Sequence, residues 1–271
     1  MIQRSEQYVS TPRLVAEVQQ GWLRLTFNEP EKKNRLSDEL VADLLAILSR
    51  LPADSSVRGV SFRGRGGVFC AGGDLSKFAA MVSASHAEVV QLNKQGGALF
   101  EAIRTLPQVT VALLEGAALA GGLGIACCCD VVIATRETRF AFSETQLGII
   151  PAQIAPYVIE RVGPAIGRRL MITAEQLTAD DALNMQLVDD VVDTAEQLAE
   201  RDLAVMARVL RCAPGAVASL KTLLSGMSRL GDQDATHVAA LHFADCLLSE
   251  EGREGLASFH EKRKPYWAVE I

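Results

Sequence analysis

One glutamate and two glycine turns are the residues of this chain whose types and spacing suit acid–base chemistry. Glu144 stands between Phe142 and Leu147, and apolar neighbours raise the pKa of a carboxyl by disfavouring its charged form. A carboxyl that titrates near neutral pH can both take up and return a proton. The turns Gly72-Gly73 and Gly121-Gly122 each follow a predicted strand. Two convergent backbone N–H groups in such turns stabilise an oxyanion, for example the enolate of a thioester.

Each of these features also has a purely structural explanation. Glycine pairs after strands are commonly simple turns, and a charged residue in an apolar stretch is commonly an acid paired with an arginine. The glycine spacing matches neither the P-loop nor the GxGxxG dinucleotide fingerprint. Nucleotide hydrolysis and Rossmann-type hydride transfer are therefore disfavoured.

Strands that alternate with helices position these residues and predict an α/β core. Ser37 is the predicted N-cap of a helix that extends to about Leu51, and a longer helix is predicted from His86 to Leu106, before Pro107. From about residue 195 the pattern becomes helical, with one apolar stripe at Leu203, Met206 and Leu210. We expect a core at residues 1–200 and a helical region at residues 201–271. The predicted strands are Leu14 to Val18, Leu23 to Phe27, Val57 to Phe62, Val109 to Leu114 and Val131 to Ala134.

Composition limits the setting in which the protein works. The 271 residues are 49% hydrophobic and carry a formal net charge of −6, which disfavours a nucleic-acid partner. No apolar stretch is long enough to span a bilayer, and Met1 to Glu6 lacks the apolar core of a signal peptide. We therefore expect a cytoplasmic protein without a membrane partner. The consecutive cysteines Cys127, Cys128 and Cys129 suit small core residues better than a disulfide or zinc site, and no metal is expected.

Several motifs, taken in order, resemble the crotonase (enoyl-CoA hydratase/isomerase) superfamily. The resemblance extends from about Val15 to Lys264, which is nearly the whole chain. It implies a spiral of ββα units, a C-terminal helical region that builds homotrimers often paired into hexamers, and acyl-CoA thioester substrates. Coenzyme A would then be part of the substrate, with no separate cofactor. The motifs are Asn28-Glu29-Pro30 with Asn34-Arg35-Leu36, Phe69 to Leu75, Glu115 to Gly122, Cys129-Asp130, and Leu147 to Pro151.

The resemblance also implies roles for individual residues. The two oxyanion donors would be the backbone N–H groups of Gly73 and Gly121, with Glu144 as the catalytic acid and base. Coenzyme A would lie along Lys33 to Leu36 and Ala71 to Leu75, and Lys264 would reach the ligand of a neighbouring subunit. The residues expected to bind substrate are Lys33, Arg35, Ala71, Gly72, Asp74, Leu75, Gly124 and Lys264.

One catalytic acid of the familiar pattern is missing. Enoyl-CoA hydratases carry one glutamate at the position matching Gly124 and another in the segment matching Phe140 to Leu147, where this chain has Glu144. Glu115 and Glu137 match neither position and are expected to be structural or surface acids. A single carboxylate suits hydration of a double bond as well as its isomerisation. The glycine at position 124 predicts room for a branched or carboxylated acyl group.

The residues around Glu144 favour one substrate group. Phe142 to Gly148 and Pro151 to Val158 resemble bacterial hydratases of 3-methylglutaconyl-CoA or isohexenylglutaconyl-CoA, which act in leucine or acyclic terpene breakdown. The sequence therefore predicts a hydro-lyase of this type. The alternatives are an enoyl-CoA isomerase that uses Glu144 as a proton shuttle, and a non-catalytic acyl-CoA-binding or scaffold protein.

Overall fold

The computed structural model describes residues 8–227 and 232–270, and the strands and helices named below are those of these two ranges. The strands, numbered β1 to β8 in chain order, are Leu14–Gln19, Trp22–Phe27, Gly59–Gly64, Val109–Leu114, Ala117–Leu119, Val131–Thr135, Arg139–Ala141 and Asp190–Val192. The helices, numbered α1 to α10, are Asp38–Leu48, Leu75–Met81, His86–Arg104, Gly121–Cys128, Ala155–Thr173, Ala179–Asn184, Ala195–Val209, Pro214–Met227, Asp232–Leu248 and Glu250–His260.

Six strands form one sheet in the order β1-β2-β3-β4-β6-β8. β1 and β2 form an antiparallel hairpin in which Leu14 lies opposite Phe27, and the other neighbours are parallel. Parallel neighbours require long crossovers, which α2 and α3 supply between β3 and β4. A second, two-stranded parallel sheet pairs β5 with β7. The predicted α/β core and its five predicted strands are confirmed.

Helix α1 forms where capping and periodicity both predict it. Ser37 is the N-cap and accepts a hydrogen bond from the Leu40 N–H at 3.2 Å, which satisfies one of the free donors of the first turn. Leu40, Leu44 and Leu48 form its buried face, so α1 covers the sheet as its spacing of apolar residues requires.

The three consecutive cysteines are buried, unpaired thiols at the end of α4. Burial raises the pKa of each thiol, because an apolar surrounding disfavours the thiolate. They act as small core residues, as predicted.

Helix α7 packs on the sheet through a buried acid. Asp202 Oδ1 accepts a hydrogen bond from Trp22 Nε1 at 3.2 Å, and its Oδ2 accepts one from Arg24 Nε at 3.1 Å. The buried face therefore follows Leu198, Asp202 and Met206. Met206 and Leu210 of the predicted apolar stripe are buried, whereas Leu203 is 46% exposed. The place of Leu203 in that stripe is therefore wrong, because a charged residue, Asp202, occupies the middle of the buried face.

The described residues contain no single helix long and apolar enough to cross a membrane, although α7 and α8 would pass that test together as a pair bent by 102°. Met1 to Glu6, the segment compared above with a signal peptide, lies outside the described residues. The predicted division near residue 200 falls within α7.

Candidate active site

Three chain segments meet beside the short strand β5. Its Leu119 N–H donates to Cys70 O at 3.0 Å, and Leu119 lies opposite Ala141 in the parallel pairing with β7. Parallel strands end at the same edge of a sheet. The turns after Cys70, Leu119 and Ala141 therefore emerge together, and they carry the predicted residues Gly73, Gly121 and Glu144.

The two glycine turns are in close contact. Gly72 has a φ of +92°, and a Cβ added to it would lie only 2.8 Å from Ala120 Cβ, so only glycine fits there. A Cβ added to Gly121 would lie 3.9 Å from the Gly73 nitrogen. Neither the Gly73 nor the Gly121 N–H donates to another backbone group within the described ranges. Both predicted donors thus lie side by side with their N–H groups free.

The backbone of the second glycine turn is strained just before its donor, Gly121. Ala120, which precedes Gly121, has φ +48° and ψ −126°, a conformation that costs a residue with a Cβ about 1–3 kcal/mol. Its N–H donates to Ala141 O at 2.9 Å, which ties this turn to the strand that leads to Glu144. The pairing with β7 thus holds the strained turn, and Gly121 follows it as the first residue of α4.

Glu144 begins a single 3-10 turn, Glu144–Leu147, that ends at Gly148 with a φ of +76°. Thr145 Oγ1 donates to Met171 O at 3.3 Å, which anchors this turn to α5. The Oε2 atom of Glu144 is buried and has no hydrogen-bond partner, and burial raises the pKa of this carboxyl. Glu144 forms no ion pair with any described residue, so the alternative of an acid paired with an arginine is wrong.

The volume next to Gly124 is filled. A Cβ added to Gly124 would lie 2.3 Å from Ile154 Cγ2 and 3.1 Å from Phe100 Cε1. Ile154 itself is 3% exposed. The expectation that Gly124 leaves room for an acyl group is therefore wrong at this position, because a side chain from the start of α5 occupies the space. A contact of Gly124 itself with substrate stays a prediction.

The two segments predicted to bind coenzyme A lie side by side. Leu36 N–H donates to Gly72 O at 2.8 Å, and Ala71 N–H donates to Lys33 O at 3.0 Å. This pairing brings Lys33, which is exposed, next to the first glycine turn. Backbone hydrogen bonds thus join one predicted binding segment to the other.

The side chains of these segments also bond to each other. An ion pair of 3.1 Å joins Arg35 to Asp74, while Arg35 Nε is buried without a partner. Asp74 also caps α2 by accepting from the Ser76 N–H at 3.0 Å, and hydrogen bonds from Ser76 together with the charge of Arg35 lower the pKa of Asp74. Leu75, the first residue of α2, is exposed.

Three other predicted acids or bases lie apart from this arrangement. Among the described residues, Lys264 pairs with Glu270 and with none of the other predicted site residues. Glu115 pairs with Arg63 at 3.0 Å, and Glu137 is a largely exposed side chain, so both are structural or surface acids as predicted. No cluster of potential metal ligands occurs in residues 8–227 and 232–270.

Two aromatic rings that the sequence does not assign to the site flank the glycine donors. A Cβ added to Gly73 would lie 2.9 Å from Phe78 Cε2, and one added to Gly121 would lie 3.7 Å from Phe100 Cζ. Helical spacing predicts a buried face that includes Phe100, but no local signal shows that this ring reaches a turn twenty residues later in the chain. Phe78 lies on α2, and nothing in its local sequence shows that its ring reaches Gly73.

Comparison with known proteins identifies the family and the fold. The family model for enoyl-CoA hydratase/isomerase matches residues 17–270. The solved structure of AtuE from Pseudomonas aeruginosa is 40% identical, with a TM-score of 0.91 over 95% of this chain and 100% of that one. An enoyl-CoA hydratase/isomerase from Marinobacter aquaeolei is 36% identical, with a TM-score of 0.90 over 96% of this chain and 100% of that one. Human enoyl-CoA hydratase domain-containing protein 2, a mitochondrial protein, is 31% identical over 93% of this chain and 87% of its own length. The chain belongs to the enoyl-CoA hydratase/isomerase family and has the crotonase fold.

Proposed function

We propose that this enzyme of the enoyl-CoA hydratase/isomerase family adds water across the double bond of a branched, glutaconyl-type enoyl-CoA. The observation that carries the proposal is the Oε2 atom of Glu144, which is buried and has no hydrogen-bond partner. An unpaired buried carboxyl is costly for a fold. Such a group is expected where it handles a proton during a reaction.

The proposed reaction uses Glu144 twice. As a carboxylate it takes a proton from water while the water oxygen bonds to the β-carbon of the thioester. The electron pair of the double bond moves to give an enolate, whose oxygen accepts hydrogen bonds from the N–H groups of Gly73 and Gly121. Glu144 then returns the proton to the α-carbon. Each donor of this kind stabilises the transition state by about 3 kcal/mol.

Coenzyme A is placed on the paired segments Lys33 to Leu36 and Ala71 to Leu75. The Arg35 side chain, which is 37% exposed beside the first glycine turn, supports this placement, because its charge is accessible to a phosphate. Lys33 is the second cation offered to the phosphates, and Lys264 acts on a neighbouring subunit's ligand in a homotrimer or hexamer. Coenzyme A binds as part of the substrate, so the proposed reaction uses no separate cofactor. The proposed location of the protein is the cytoplasm.

Isomerisation is the second candidate, and the surroundings of Gly124 favour it. A second acid at that position would share the work of activating water, but Ile154 fills the space. A lone carboxyl moves a proton from one carbon to another without a second acid. The same donors at Gly73 and Gly121 would hold the dienolate.

The two reactions are separated by their products. Purified protein is mixed with 3-methylglutaconyl-CoA, and loss of the enoyl absorbance with formation of the hydroxyacyl thioester is expected. A 3-enoyl-CoA offered in parallel reports isomerisation, which yields the 2-enoyl thioester without added water. If only the 3-enoyl-CoA is converted, the proposal of hydration is wrong and isomerisation is the function. If none of the glutaconyl, 2-enoyl and 3-enoyl thioesters is converted, both proposed reactions are wrong, and the alternative of a binding or scaffold protein remains.

A further inference from the structure

Leu36 contacts both of the glycine turns that carry the proposed oxyanion donors. Its backbone N–H donates to Gly72 O at 2.8 Å, and an isolated parallel bridge pairs Leu36 with Gly73. Its side chain reaches the other turn, since a Cβ added to Gly121 would lie 3.2 Å from Leu36 Cδ1. One residue therefore fixes the first turn through its backbone and packs against the second turn through its side chain.

The segment that precedes Leu36 is itself held in place. Asn34 is fully buried, and its side-chain nitrogen donates to Arg65 O at 3.0 Å and to Val68 O at 2.6 Å. Lys33 and Asn34 have positive φ angles of +53° and +51°, and such a conformation persists only where the surrounding contacts hold it. The strained segment thus delivers Leu36 to a defined place beside the two turns.

The second turn needs support because of the conformation of Ala120. The peptide unit that carries the Gly121 N–H follows Ala120, whose φ is +48° and ψ is −126°. The ordinary left-handed conformation near this φ has a ψ of about +47°. Relaxation of the turn to that conformation would therefore rotate the peptide unit by nearly half a turn and point the donor away from the site. A side chain packed against Gly121 opposes this movement.

We propose that Leu36 is a positioning residue that sets the direction and spacing of the two N–H donors. The inference rests on the proposed function, because it takes the Gly73 and Gly121 N–H groups as donors to an enolate oxygen. The Gly73 nitrogen would lie 3.9 Å from a Cβ added to Gly121, and Leu36 contacts both members of this pair. Hydration and isomerisation need the same two donors, so the role of Leu36 is common to both reactions.

The test measures how strongly the donors stabilise an enolate, with acetoacetyl-CoA as the probe. The C2 carbon of this thioester loses a proton to solvent, and the electron pair of the broken C–H bond gives an enolate whose ultraviolet absorbance differs from that of the keto form. Hydrogen bonds from the donors favour the charged form, so the bound probe should enolise at a lower pH than the free thioester. Leu36→Ala should lower the ratio of enolate to keto form on the protein about tenfold, whereas complete loss of one donor would lower it by about a hundredfold or more.

Two further variants separate a positioning role from general stability. Leu36→Met keeps a long apolar side chain of similar volume next to Gly121 and should retain most of the enolate ratio. Leu44→Ala makes the same truncation on the buried face of α1, so it should lower the melting temperature without changing the ratio. An unchanged ratio in Leu36→Ala, or an equal loss in Leu36→Met or Leu44→Ala, would overturn the proposal.

The readout needs no turnover, so it separates the positioning role from the proposed reaction. If the ratio falls in Leu36→Ala although no enoyl-CoA is hydrated, the positioning role stands and the proposal of hydration is wrong. If hydration proceeds and the ratio is unchanged, the proposal of hydration stands and the positioning role is wrong. If the unaltered protein does not enrich the enolate of the probe, the N–H groups of Gly73 and Gly121 are not oxyanion donors and both proposals are wrong.

Discussion

A single carboxyl group in this site has to act first as a base and then as an acid. An ordinary glutamate, with a pKa of about 4.3, is a weak base at neutral pH. Burial raises the pKa of Glu144, which strengthens the carboxylate as a base and keeps part of the population protonated closer to neutral pH. The apolar sequence around Glu144 predicts this effect. That its Oε2 atom is buried without a hydrogen-bond partner depends on the packing of distant segments, so the sequence alone does not predict it.

Replacing the carboxyl by an amide tests that role. Glu144→Gln keeps the shape of the side chain and removes its ability to accept a proton, so kcat/KM for 3-methylglutaconyl-CoA should fall by about a thousandfold, within the range of general acid–base catalysis. Steady-state kinetics give the ratio, and far-UV circular dichroism checks that the variant folds. Glu137→Gln, at an exposed acid, is the control and should keep full activity. Full activity in Glu144→Gln would show that another group handles the proton.

The same variant should gain stability relative to the unaltered protein as the pH rises. Because the pKa of Glu144 is raised in the folded state, the folded protein binds more protons than the unfolded chain between the two pKa values. Stability of the unaltered protein is therefore lost as the pH rises through that interval. An amide cannot ionise, so Glu144→Gln should melt above the unaltered protein at pH 7, and the difference should vanish below the ordinary glutamate pKa of about 4.3. Scanning calorimetry across this range measures it, and a constant difference at all pH values would contradict the pKa shift.

At the scale of elements, local sequence patterns predict which helices and strands form, but not which of them pack against each other. The Ser37 cap and the leucine spacing place α1 to within three residues of its observed end. The open space expected at Gly124 failed because Ile154, thirty residues later, is inserted by the path of α5. Of the predicted stripe, Met206 and Leu210 are buried but Leu203 is exposed, because Asp202 takes the buried position next to it through partners on β2 and β3, which no helical period reveals.

The competition between α4 and α5 can be measured as a coupling. Gly124→Ala alone should destabilise the protein by about 1–3 kcal/mol, the usual effect of overpacking a core. Ile154→Ala alone should destabilise it by about 2–5 kcal/mol by leaving a cavity. Together they should destabilise it by less than the sum of the single effects, with a coupling of about 1 kcal/mol or more. Urea unfolding gives each value, and additive effects would show that the two positions do not share a volume.

The attachment of α7 to the sheet depends on one buried charge. Asp202→Ala leaves both Trp22 Nε1 and Arg24 Nε without their acceptor and should lower the free energy of unfolding by about 3 kcal/mol, as for other broken buried pairs. Asp180→Ala, which removes an exposed partner of Arg136, is the control and should lower it by less than about 1 kcal/mol. Urea unfolding of both variants makes the comparison. Equal small losses would mean that the contact between α7 and the sheet does not need the ion pair.

For the whole molecule, the proposed trimer or hexamer depends on the helices that follow the sheet. Apolar side chains remain exposed on α9 and α10, including Phe243 at 67% and Phe259 at 80%, and exposed apolar surface of this kind is typical of an interface. The double variant Phe243→Asp with Phe259→Asp should therefore reduce the mass in solution to that of one chain, measured by sedimentation equilibrium. Val9→Asp, at a residue exposed to 65% before β1, should keep the assembled mass. A monomeric unaltered protein, or an unchanged mass in the double variant, would contradict an assembly built on these helices.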